Sequence, residues 1–159
     1  MQSALQIKDE AYADMKIYLD NCCLNRPFDD LNYDIVRIES EAVVAIIDKC
    51  ENEDWNFFSS DVLFDEISRL TDFVKKQKIM LLYRSATLHV EFTEEIILRG
   101  KELEQFGIES YDALHIASAE SGGADVFLTT DNRLIKSANR ANVNVLVKNP
   151  LIWLMEVLV

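Results

Sequence analysis

Glycine and proline are nearly missing from this chain: 4 and 2 of 159 residues. That scarcity disfavours glycine-rich phosphate loops, dinucleotide fingerprints and flexible linkers, all of which depend on backbone freedom that other residues lack. Cysteine is scarce too. Three residues, Cys22, Cys23 and Cys50, are an odd number, and two are adjacent. They form no disulfide framework and no CxxC metal motif, and they read as small buried thiols in a reducing compartment. Positive charge is short: 16 Lys and Arg against 28 Asp and Glu leave a net charge of -12. A general phosphate-backbone binder is thereby disfavoured, and any nucleic-acid activity must use local basic groups or bound cations. Long apolar runs are missing as well. The start "MQSALQIKDEAYADMK" has no apolar signal-peptide core. The tail "LIWLMEVLV" is too short to cross a bilayer and contains Glu156. A soluble, cytoplasmic protein with no membrane segment is expected.

What remains is an ordinary globular composition, 49% apolar and 28% charged, with no repeat or low-complexity tract. Residues 1–15 read as an N-terminal extension, with an amphipathic helix over 3–15, and 16–159 as one domain. Apolar strands are expected at 16–20, 55–60, 86–92, 124–130 and 143–147. Helices are expected at 34–51, 61–81, 93–106, 110–121, 132–141 and 151–158, with a loop over 21–32. Strand–helix alternation predicts an α/β fold with a mostly parallel five-stranded sheet covered by helices on both faces. The strands are short apolar runs without alternation, as burial on both faces requires.

The informative acids are those placed where burial is expected. Asp20 and Asp131 follow the first and fourth strands. In a parallel sheet both emerge at the carboxyl edge, where α/β folds bind ligands. The plainer reading makes Asp131 a helix cap. On the helix 61–81, Asp65, Arg69, Asp72 and Lys76 share a charged face, whereas Glu66 falls between Val62, Leu70 and Phe73 at the edge of the apolar face. In "YDALHIASAE", Ser110 is the expected cap and Asp112 lies in the first turn, favoured by the helix dipole. That helix is apolar nearly all round, so its first turn faces the protein interior. Carboxylates gathered in a partly buried cleft repel one another unless a cation neutralises them, and Mg²⁺ or Mn²⁺ suits such oxygen donors. His115 shares a face with Asp112 and reads as a hydrogen-bonded packing residue.

These segments together resemble the PIN-domain nucleases, a family that includes the VapC-type toxins. "YLDNCCLNRPF" is similar to the family's first strand and loop, "SSDVLFDEISRL" to its Glu-bearing helix, "YDALHIASAE" to its Asp-Ala-x-His signature, and "FLTTDNRLI" to its Thr-x-Asp strand end. The resemblance runs from about Lys16 to Val147 and implies a compact Rossmann-like PIN domain with a central parallel sheet. It implies metal-dependent phosphodiester hydrolysis, most commonly of RNA, with Asp20, Glu66, Asp112 and Asp131 as catalytic metal ligands for Mg or Mn. It implies supporting contacts from Thr129 and Asn21. A cognate antitoxin and a second copy of the chain are the protein partners it raises. Two departures stand out. Cys22 occupies the place of the family's Asn, and Arg133 stands where some members carry another acid.

Beside the acids lies a local supply of positive charge. Arg133, Lys136 and Arg140 form a stripe on the helix after Asp131, and Arg26 follows Asp20 in the loop. These are the candidate RNA-binding residues; the plainer reading is a solvated face. The rival is a non-catalytic PIN-like module acting through protein contacts. A haloacid-dehalogenase-type phosphatase would need a second Asp in "DNCCL", and a response regulator an Asp after the third strand; neither is present.

Overall fold

The structure, a computed structural model, describes residues 6, 7, 10–52 and 54–158. Its centre is a five-stranded sheet of order β3-β2-β1-β4-β5. The strands are β1 (Lys16–Leu19), β2 (Asn56–Ser60), β3 (Leu88–Val90), β4 (Val126–Leu128) and β5 (Leu146–Lys148). All four pairings are parallel; Ile17 sits opposite Phe57 on one side and Val126 on the other. Among the described residues, eight α-helices connect and cover the strands: α1 (Asn21–Asn25), α2 (Asp34–Glu51), α3 (Asp61–Ser68), α4 (Phe73–Arg84), α5 (Glu94–Glu104), α6 (Ser110–Gly122), α7 (Asn132–Ala141) and α8 (Pro150–Val157).

Strand periodicity divides the core between the two faces. Ile17, Leu19, Phe57, Val126 and Leu128 pack on one face with Val43 and Ile46 of α2, Leu63 and Ile67 of α3, and Trp153 of α8. There Trp55 and Trp153 meet with ring centroids 5.0 Å apart. Tyr18, Phe58 and Phe127 face the other way, against Ile96 and Leu103 of α5, Ile116 of α6 and Leu134 of α7. Full burial of each such side chain contributes about 1.5–3 kcal/mol, so the central strands hold both layers together. Gly123, at φ 72°, adopts the left-handed cap that ends α6.

Two expectations need correction. The expected loop over 21–32 contains α1 and a 3-10 turn, Arg26–Phe28. Asp20 caps α1, accepting from Asn21 N–H, and Cys23 and Leu24 are buried beneath the sheet edge. The expected helix 61–81 is two helices. α3 stops at Ser68, and Asp72 starts α4 by accepting from Lys75 N–H. Phe73 and Val74 are therefore exposed rather than part of the Glu66 face. The expected helix over 3–15 falls partly outside the described residues; within them, Ile7 bridges Leu158 and Glu10–Tyr12 make one 3-10 turn.

Candidate active site

The chain builds β1, β2 and β3 outward in one direction, then returns to place β4 on the other side of β1. Connections leave β1 and β4 in opposite senses, which opens a crevice beyond their carboxyl ends. Asp20 follows β1 there. Its N–H donates to Leu128 O of β4 at 3.0 Å, fixing it to the neighbouring strand. Its carboxylate is buried, 6% exposed, and held on both oxygens. Asn21 N–H donates to Oδ1 at 2.8 Å, and Thr129 Oγ1 donates to Oδ2 at 2.9 Å. Burial raises the Asp20 pKa above the ordinary carboxylate value, against the pull of His115 and the Thr129 hydroxyl.

Cys22 completes this pocket. Its Sγ lies 3.4 Å from Asp20 Oδ2 and 3.3 Å from Thr129 Oγ1, and accepts from Thr130 N–H at 3.3 Å. The thiol thus keeps a polar contact to Asp20 where the resemblance leads one to expect an Asn. Asn21 contributes through its backbone; its side-chain oxygen accepts from Asn25 Nδ2 instead.

Glu66, half-buried on α3, reaches the same crevice. Its Oε1 is 3.3 Å from Nε2 of the fully buried His115. His115 Nδ1 is 2.7 Å from the Tyr18 hydroxyl, which is 2.7 Å from Ser60 Oγ. Burial pulls the His115 pKa down, but the Glu66 hydrogen bond and the charges of Asp20, Glu66 and Asp112 outweigh it and leave it raised. Burial holds the Tyr18 phenol far above its usual range. One ligand-capable atom each from Asp20, Glu66 and His115 lie within 4.8 Å of one another. The two carboxylates, mostly dry and crowded, offer the oxygen donors that suit a divalent cation of the Mg²⁺ or Mn²⁺ kind, with the imidazole beside them.

Asp112 stands in the first turn of α6, where Glu109 rather than Ser110 is the cap. Its pKa is pushed up to about 7, first by burial and then by Asp20, with Asp131 adding and His115 opposing. Asp131 caps α7, its Oδ1 accepting from Arg133 N–H and Leu134 N–H. The capping expectation was sound, and it does not remove Asp131 from the crevice. Asp112 and Asp131 line one groove of about 380 Å³ with Arg133, Lys136 and Arg140. Asp112, Asp131 and the basic stripe therefore share one concavity, while Asp20 and Glu66 gather with His115 beside it. Arg26 stands apart. Its guanidinium bonds Glu39 at 2.9 Å and Asp29 at 3.0 Å, with Glu39 buried.

His115 is the hydrogen-bonded, buried residue the sequence leads one to expect, whereas nothing in the sequence gives Tyr18 and Ser60 a role. The i, i+3 spacing of Asp112 and His115 was a usable signal. Tyr18 gave none, because a Tyr in a buried strand reads as core.

Fold and site together define a doubly wound α/β protein with an acidic crevice at the carboxyl edge of its sheet. Residues 36–140 match the model of the PIN domain, and the chain belongs to that family. Two solved structures share the fold. VapBC2 from Rickettsia felis, bound to a DNA fragment from its promoter, is 16% identical at TM-score 0.58, over 85% of this chain and 98% of that one. PAE2754 from Pyrobaculum aerophilum is 16% identical at TM-score 0.52, over 89% and 90%. No curated protein matches the chain significantly. Among the described residues, no helix is long and apolar enough to cross a membrane.

Proposed function

We propose that this protein is a Mg²⁺- or Mn²⁺-dependent endoribonuclease of the VapC toxin kind, acting in the cytoplasm through Asp20, Glu66, Asp112 and Asp131. The observation that carries this reading is the convergence of acids from separate βα units on one crevice, with Asp20 and Asp112 both raised in pKa by burial. Such a site is under electrostatic tension that a divalent cation relieves. Membership of the PIN family supports the same chemistry.

The divalent cation, when bound, activates water and stabilises charge on the scissile phosphate. Asp20 and Glu66 would hold it, with Asp112 and Asp131 completing the set directly or through water. Thr129 and Cys22 fix the Asp20 carboxylate, so little reorganisation is needed on binding. Arg133, Lys136 and Arg140 line the groove beside Asp112 and Asp131, where they would take the RNA phosphates on either side of the cut. Arg26 is engaged with Asp29 and Glu39, which weakens its case as an RNA contact. Residues 16–159 form the catalytic domain in this reading, with 1–15 an extension. The likeness to VapBC2 supports an antitoxin as partner, and a second copy of the chain is the other protein partner of the same reading.

The test is cleavage of a fluorogenic RNA strand with Mn²⁺, Mg²⁺ or chelator. Cleavage should require metal and vanish in Asp20→Asn and Glu66→Gln. A folded parent that binds Mn²⁺ yet cuts no RNA, including mixed cellular RNA, refutes the enzyme and favours a protein-interaction module.

A further inference from the structure

Behind Glu66 runs a buried chain of hydrogen bonds that nothing in the proposed chemistry uses. Leu63 N–H donates to Ser60 Oγ at 3.0 Å. Ser60 Oγ meets the Tyr18 hydroxyl, and that hydroxyl meets His115 Nδ1, each at 2.7 Å. His115 Nε2 then meets Glu66 Oε1 at 3.3 Å. Ser60, Tyr18 and His115 are each 0% exposed. Two adjacent strands, β2 and β1, and the helix α6 thus lead to one carboxylate on a fourth element, α3.

The direction of this chain follows from counting protons. Ser60 Oγ already accepts from Leu63, and its own proton has an acceptor only in Tyr18 among the contacts described. With His115 neutral, Tyr18, accepting that proton, gives its own to Nδ1. A neutral imidazole that accepts at Nδ1 carries its proton on Nε2, and that proton faces Glu66. The reverse direction strands the Ser60 proton without an acceptor and sets a bare Nε2 lone pair against a carboxylate oxygen. Buried polar groups left so cost about 1–3 kcal/mol each.

We propose that Ser60, Tyr18 and His115 form a one-way hydrogen-bond relay that positions Glu66, with His115 a donor to that carboxylate and not a metal ligand. This rests on the metal site proposed above. His115 and Tyr18 are positioning residues: they act on the cation only through the Glu66 rotamer. A half-buried Glu at the end of a flexible side chain needs such a clamp, whereas Asp20 is already held on both oxygens. Outer partners of this kind are worth about 10–100-fold in metal affinity.

The experiment measures Mn²⁺ dissociation constants by calorimetry for the parent, Tyr18→Phe, His115→Gln and the double variant. Tyr18→Phe keeps the ring that stacks on Phe127, 5.3 Å between centroids, so the fold should hold. It should weaken Mn²⁺ about tenfold. His115→Gln places an amide N–H near the position of Nε2 and should stay within about threefold of the parent. In the His115→Gln background, Tyr18→Phe should cost nothing further, since its route to Glu66 is gone. Equal losses from Tyr18→Phe in both backgrounds overturn the relay, as does a lower melting point with unchanged Mn²⁺ affinity. Nitrogen-15 NMR of the neutral His115 ring in the metal-free parent is the second readout. A proton on Nε2 supports the relay and a proton on Nδ1 overturns it. A parent that binds no Mn²⁺ refutes the metal site itself, and the NMR result then decides the relay alone.

Discussion

Asp112→Asn should make the metal-free protein more stable, and the gain should depend on pH. The Asp112 pKa rises from 3.8 to about 7 on folding, chiefly through burial and then the charge of Asp20. An acid raised in the folded state binds its proton more tightly there than in the unfolded chain. The proton's contribution to stability is fully present below about pH 3.8 and is lost as pH rises through about 7. About three units at 1.36 kcal/mol each sets a ceiling of about 4 kcal/mol at pH 8. Asp112 is only half-buried, and solvent screening cuts this to roughly 2 kcal/mol. Asparagine removes that penalty and loses the favourable charge at the first turn of α6, about 0.5 kcal/mol. Desolvation wins, leaving a net gain of about 1–1.5 kcal/mol, or roughly 2–6 °C in Tm for a domain of this size. Thermal melts of parent and variant in chelator, from about pH 4 to pH 8, are the assay. The difference should open across that range and close at its acid end, where both side chains are neutral. With millimolar Mn²⁺ the order should reverse, because the parent gains the metal's stabilisation. A variant less stable than the parent at pH 8 in chelator would refute the reasoning and leave Asp112 as a favourable helix-end charge.

Three further outcomes follow from contacts described above. Replacing Arg133, Lys136 and Arg140 by Gln should weaken RNA binding in Ca²⁺ and flatten the slope of log affinity against log salt by about 2–3, while Mn²⁺ affinity measured by calorimetry stays put. Arg26→Gln should lower stability in urea titration by about 2 kcal/mol, because Glu39 is left buried without its cation, and should leave the RNA salt slope unchanged. Cys22→Ala should cost about 1 kcal/mol in thermal melts and weaken Mn²⁺ several-fold, since Thr130 N–H loses its acceptor and Asp20 a neighbour.

The strands and the carboxyl-edge acids were legible because both are local properties of the chain. A short apolar run alternating with longer helical patterns reads as a strand by its length, and the Asp that follows it lands at the edge. The Glu66 environment was misread for a physical reason. A helical wheel drawn over 61–81 passes through Asp72, whose carboxylate competes for a backbone N–H and starts a new helix. Phe73 was thereby assigned to a face it does not share. Arg26 lies near Asp20 in sequence, whereas its partners are Asp29, further along the loop, and Glu39 of α2. The Tyr18–His115 bond joins residues 97 apart, and no pattern within either segment announces it.

The strand order has a consequence for synthesis. β1 is central, but one of its two neighbours is β4, so its second edge stays open until residues 126–128 exist. Thr129, which grips Asp20, lies 109 residues further along the chain. A nascent chain can pair β1, β2 and β3 and bury part of one face, yet the groove beside Asp20 has no far wall until β4 and α7 have left the ribosome. Whatever the crevice does, it cannot begin before β4, Thr129 and α7 have been made. The wiring of the sheet thus leaves the completion of the crevice to β4 and α7, the elements that follow residue 125.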